Sequence, residues 1–168
     1  DLGIYKQPES LDVTVDQTRT SLSLMTPAYA APEQLRAGQV GVHTDIYSLG
    51  VVLYELLVGR LPFDLSDRTP SEAAAVILER EPERPSAAVL RMPLVSPSSP
   101  RRRGRGKAAW ADLDVLCLTA MHKDPPRRYR SVEALMRDVD HYLGGDPLEA
   151  PPDTMGYRVG RVVRRHGR

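Results

Sequence analysis

The sequence predicts a mainly α-helical chain on three observations. Apolar residues recur at helical spacing in several separate stretches, the alternation expected of strands is scarce, and Ser, Thr, Gly and Pro stand where those stretches begin and end. With 168 residues and 41% hydrophobic content, the chain is long enough for one domain with a real core.

Residues 1–24 are polar, without a sustained period of either kind, and read as a long loop. From Met25 to Gln34 two prolines and several small residues predict an extended segment that turns into a short helix at Pro32. The next element is the most apolar run in the chain, Asp45 to Gly59. At 3.6 residues per turn Ile46, Leu49, Val52, Leu53, Leu56 and Leu57 form one stripe, and Tyr47, Val51, Tyr54 and Val58 carry apolar character round most of the circumference. A buried helix follows, with Thr44 as the expected N-cap, Asp45 at its positive end and Gly59 as its stop. A membrane span does not, because the run holds Glu55 and falls short of the roughly 20 apolar residues a bilayer requires.

Arg60 to Pro70 is turn chemistry, and Ser71 is the expected cap of an amphipathic helix to about Arg80. From about 82 to 107 prolines, serines and a run of arginines predict a disordered basic surface insertion. Helical period returns from Ala109 to His122 through Leu113, Leu116, Cys117 and Ala120. Ser131 caps a further helix to Leu143, whose apolar face is Val132, Leu135, Met136, Val139 and Tyr142, with Gly144-Gly145 ending it. A Pro-rich link leads to a last basic helix from Asp153 to about His166.

Charge is nearly balanced, with 23 Lys and Arg against 22 Asp and Glu, which gives no bulk reason to expect nucleic acid as the main partner. One cysteine, Cys117, excludes an internal disulfide and fits a reducing compartment. It reads as a core residue, with no His placed to activate it. The first residue is Asp rather than Met, which is expected of a processed product or a piece of a longer protein.

Four stretches in this order resemble the C-terminal lobe of the bacterial eukaryotic-type (Hanks-type) Ser/Thr protein kinases. Asp1-Leu2-Gly3 is similar to the Asp-Phe-Gly metal motif, and Thr26-Pro-Ala-Tyr-Ala-Ala-Pro-Glu33 to the end of the activation segment. Asp45-x-Tyr-Ser-x-Gly50 resembles the start of the family's central helix, and Asp124-Pro-x-x-Arg128-Tyr the loop carrying the arginine partner of that Glu. The resemblance implies the helical C-terminal lobe of the protein-kinase fold, with the N-terminal lobe and catalytic loop absent. It divides the chain into an activation segment (1–34), a helical subdomain (35–145) holding the insertion, and a linker with a basic helix (146–168).

The function it implies is transfer of the γ-phosphate of ATP to protein Ser/Thr hydroxyls. Such chemistry rests on positioning phosphates and neutralising their charge with Mg²⁺, a hard ion that takes carboxylate oxygens. By resemblance Asp1 is the metal and nucleotide ligand, Thr26 lines the site near the accepting hydroxyl, and Thr26, Pro27 and Tyr29 form the substrate loop. Glu33 and Arg128 are the expected buried ion pair, and Asp45 is expected to hold the catalytic-loop backbone. The regulatory phosphorylation candidates are Thr14, Thr18, Thr20, Ser21 and Ser23, where a phosphate adds roughly −1.5 to −2 charge that can order the loop. Met25 departs from the family's usual Gly, which restricts the backbone there.

A working kinase also needs a Gly-rich loop, a phosphate-gripping lysine and a catalytic loop with an Asp base. None is present, and in the family all precede the first residue here. His122-Lys-Asp124 imitates the His-Arg-Asp of that loop, but the fifth residue after Asp124 is Tyr129 rather than Asn. Gly104-x-Gly106-x-x-Ala109 matches a dinucleotide fingerprint only as letters, since an arginine run and not a strand precedes it.

The chain alone is therefore expected to be inactive, with one side of the central helix uncovered and with marginal stability. Two alternatives stay open: a non-catalytic docking scaffold, and a basic module binding nucleic acid or anionic membrane through Arg101–Arg103, Arg105, Lys107 and the terminal helix. The expected partners are protein substrates and a second kinase domain, with no specific nucleic acid. The expected location is the cytoplasm, with any membrane tether of the parent protein outside this chain.

Overall fold

The computed structural model describes residues 27–91 and 107–150, and these form a helical assembly without a strand among them. A 3-10 turn at Pro27–Tyr29 leads into α1 (Pro32–Leu35), α2 (Val42–Val58), α3 (Pro70–Glu79), α4 (Pro85–Arg91), α5 (Lys107–Ala120), a second 3-10 turn (Pro125–Arg127) and α6 (Val132–Gly144). The readings of residues 1–26, the arginine run and the terminal basic helix lie outside the described residues. Among those residues no helix is long and apolar enough to cross a membrane.

α2 is the axis. Its Tyr47, Val51, Tyr54 and Val58 are fully buried against Ala31, Ala88, Cys117 and Met121, and its Ile46 joins Leu113, Leu116, Ala120, Tyr129 and Leu135 in a second cluster. Each such aliphatic side chain contributes about 1.5–3 kcal/mol on burial. Gly50 lets α2 approach the end of α5: a Cβ there would stand 2.8 Å from Ala120 Cβ and from Met121 Cγ. The expected stripe is thereby corrected. Leu49, Val52 and Leu56 are exposed, Leu56 to 76%. A helix apolar on most faces leaves periodicity unable to choose the inner one.

Local chemistry sets the ends. Gly59 and Gly145 close α2 and α6 in the left-handed region at φ 82° and 79°, where an L side chain is strained. The N-cap of α2 is Gly41, not Thr44, whose hydroxyl sits a turn inside and accepts from Gly41 N–H at 3.2 Å. α3 is capped by Thr69 rather than Ser71. Thr69 Oγ1 accepts from Glu72 N–H while Glu72 accepts from Thr69 N–H, a reciprocal capping box. Ser131 caps α6 by accepting from Ala134 N–H.

Two boundaries move. Within the stretch read as a disordered insertion, Pro82, Pro85 and Ala88 are buried and Pro85–Arg91 is helical. Asp114 of α5 accepts from both Ser86 N–H (2.8 Å) and Ser86 Oγ (2.6 Å), holding the first turn of α4 against the core. The link after α6 is docked as well: buried Asp138 accepts from Glu149 N–H at 2.6 Å, Ala150 N–H at 3.0 Å and Tyr129 Oη at 3.0 Å. On α6 itself Leu135 is buried, but Met136, read as core, is 59% exposed. Asp138 takes the inner position instead.

Candidate functional site

Glu33 lies in the first turn of α1 and Arg128 follows the second 3-10 turn, 95 residues away in sequence. The fold brings them into a two-point ion pair, with Arg128 Nη1 at 2.7 Å from Glu33 Oε1 and Nη2 at 2.8 Å from Oε2. The guanidinium side chain is wholly inaccessible and the carboxylate nearly so. Arg128 also donates to the carbonyls of His43 (2.6 Å), His122 (2.7 Å) and Lys123 (3.4 Å), and lies 4.9 Å from the centre of the Tyr47 ring. Its planar fork thus joins α1, the start of α2 and the loop after α5. Thr44 Oγ1 completes the group by donating to Glu33 Oε1 at 2.8 Å. Burial opposes the Glu33 charge, but Arg128, backbone N–H and Thr44 outweigh it and hold the carboxyl below its usual range.

This hub anchors the segment just before it. Tyr29 Oη donates to Glu55 Oε2 at 2.6 Å, and Ser48 Oγ donates to the Tyr29 carbonyl at 3.0 Å. Thr44, Ser48 and Glu55 recur at spacings of four and seven, so they form a polar line down α2 to which residues 27–33 are fastened. Hydrogen bonding to the Glu55 carboxylate and partial burial push the Tyr29 phenol above its usual range. Sequence reasoning missed Ser48 and Glu55. The signal available was polar residues at helical spacing inside an otherwise apolar helix.

Beside the segment runs a groove of about 820 Å³, with Pro27 and Ala28 on one side and Pro70, Ala74 and Ile77 of α3 on the other. Asp45 is exposed at the surface of α2. Cys117 is buried, and burial pushes its thiol up, so it stays protonated and unreactive. Asp1, Thr14, Thr18, Thr20, Ser21, Ser23 and Thr26 lie outside the described residues. Among the described residues no three His, Cys, Asp or Glu side chains gather as a metal site.

An ordered chain segment ending in a buried Glu, bound to an Arg from a distant loop and laid along one central helix, is the arrangement the motifs imply. The family model for the protein kinase domain matches residues 4–138. This chain belongs to that family. Its relatives place it with the bacterial Ser/Thr branch. It is 34% identical over 134 residues to the serine/threonine-protein kinase PknB of Mycobacterium tuberculosis, covering 80% of this chain and 18% of that protein. It is 31% identical over 150 residues to a probable serine/threonine-protein kinase, SCO3848, of Streptomyces coelicolor, covering 89% and 19%. To the serine/threonine-protein kinase pkn3 of Myxococcus xanthus it is 34% identical over 139 residues, covering 83% and 22%. The chain thus spans about a fifth of the length of the curated relatives it matches. The described residues of this kinase-domain match are helical and hold no strand, as a helical lobe of that domain would.

Proposed function

We propose that this chain is the substrate-holding helical part of a Ser/Thr protein kinase, whose complete form transfers the γ-phosphate of ATP to protein hydroxyls. The observation that carries the reading is the fastening of residues 27–33 by Glu33–Arg128, Tyr29–Glu55 and Ser48. In phosphoryl transfer the protein contributes mainly positioning and charge stabilisation, so a rigid seat for the accepting chain is a direct contribution to rate.

In this reading Pro27 and Tyr29 shape the seat, and Thr26 stands next to the accepting hydroxyl. Asp1 supplies a carboxylate for Mg²⁺, which when bound with ATP neutralises phosphate charge. Phosphates on Thr14, Thr18, Thr20, Ser21 or Ser23 regulate the segment. The phosphate-gripping lysine and the Asp base come from sequence that precedes the Asp-Leu-Gly motif, which leaves the chain inactive alone.

The test is ³²P transfer from Mg-ATP to a generic basic protein, comparing this chain with the full-length gene product. Transfer by the full-length product alone, abolished by Asp1→Ala, supports the reading. Absence of transfer from both overturns it in favour of a docking scaffold that uses the same seat without chemistry. Steeply salt-dependent binding of the chain to DNA or anionic vesicles would instead favour the basic-module alternative.

A further inference from the structure

α3 stands apart from the two core clusters round α2. It packs on α1 and on a small cluster of Phe63, Val76 and Ile77 flanked by Leu35 and Leu65, away from the main core. Yet Ala73, Ala74 and Ile77 of α3 form one wall of the groove beside Pro27 and Ala28, so the groove is only as well defined as the position of α3.

One polar tie supplies what packing does not. Lys123 Nζ donates to the Ile77 carbonyl at 2.5 Å, in the last turn of α3, and lies 4.5 Å from the centre of the Phe63 ring. A cation suits both partners, because carbonyls at a helix C-terminus and the face of an aromatic ring are each electronegative. Lys123 belongs to the loop whose carbonyls at 122 and 123 receive Arg128. A single short loop therefore grips the carboxylate that ends the substrate segment and the helix that faces it.

We propose that Lys123 is a positioning residue for protein substrate: it fixes α3 against the Glu33–Arg128 hub and so sets the groove width without touching the reacting atoms. This rests on the Ser/Thr kinase reading. Burial of the ammonium, with Arg128 and Arg36 adding repulsion and Glu81 opposing it, brings the Lys123 pKa down to about 8. The charge on the tie is therefore lost as pH rises through about 8. Overall stability moves the other way. A lysine whose folded pKa lies below its unfolded value of about 10.4 favours the fold increasingly as pH rises between the two. Weaker substrate binding above pH 8 without loss of stability is thus a signature of positioning rather than of folding.

The experiment is steady-state kinetics on the full-length gene product, with K123M and K123R. K123M is expected to raise KM for a protein substrate about fivefold or more while leaving kcat and KM for ATP within about twofold, and K123R to restore the wild-type value. An unchanged protein KM, or equal loss in all three parameters, overturns the proposal. K123Q serves as the neutral variant if K123M does not fold. If the wild type transfers no phosphate, the kinase reading fails, and amide hydrogen exchange decides on the tie itself. Faster exchange in α3 than in α5 on neutralising Lys123, reversed in K123R, supports it; unchanged α3 protection rules it out.

Discussion

The two sides of α2 are held by different physics. Towards α4 and α5 the helix meets Ala88, Cys117 and, just past α5, Met121 through mainly apolar packing, where shape matters more than the aim of any one group. Towards residues 27–33 it meets directed partners, with Thr44, Ser48 and Glu55 each aimed at one atom of residues 29–33. The apolar side secures the fold. The polar side secures a geometry, fixing residues 29 and 33 atom by atom against the helix.

Substitutions should separate the two. The largest effect is expected from Arg128→Ala, which strands a buried carboxylate and several carbonyls. The loss is about 3–5 kcal/mol by urea unfolding, the usual cost of breaking a buried pair. On the apolar side Gly50→Ala is expected to cost about 1–3 kcal/mol, because its Cβ must displace Ala120 or Met121. If the polar side governs geometry alone, Tyr29→Phe should cost only about 0.5–1.5 kcal/mol in unfolding. It should nevertheless loosen the segment, read as faster amide exchange at residues 28–31.

pH gives a further separation. The Glu33 carboxyl is held below the ordinary glutamate value of 4.5, so its contribution is complete above that pH and is lost as pH falls through the lower, folded value. Acid melts should show this loss in the wild type and not in Glu33→Gln. The smallest effect is expected at Leu56, 76% exposed, where Leu56→Ser should change stability by no more than about 0.5 kcal/mol. A larger cost would place Leu56 in a covered surface and redraw the comparison.

Much of this architecture is written in local signals. Helix stops at Gly59 and Gly145 and the cap at Ser131 follow from short-range chemistry, and their positions were readable residue by residue. What was not readable depends on partners distant in sequence. Leu49 and Tyr47 are equally eligible for a core by period, and only the arrival of α5 and of Arg128 decides for Tyr47. Asp138 reads as a solvated helix charge until Glu149, Ala150 and Tyr129 surround it. The prolines at 82 and 85 suggest disorder by composition, yet Pro85 opens a helix, where its missing N–H costs nothing. For the candidate site, the motif residues Glu33 and Arg128 were legible, whereas Ser48, Glu55 and Lys123 show their part only through what they touch.

Asp138 has a mechanical consequence. Because its carboxylate grips the backbone at 149 and 150, the segment after α6 is tied back onto the helix it has just left. The segment is also held by the Arg137–Glu149 ion pair and by Ala150 in the second core cluster, so a load on it is shared between directed bonds and packing. The same carboxylate accepts from Tyr129, the immediate neighbour of Arg128, so a load on residues 149–150 reaches a residue next to the Glu33–Arg128 pair.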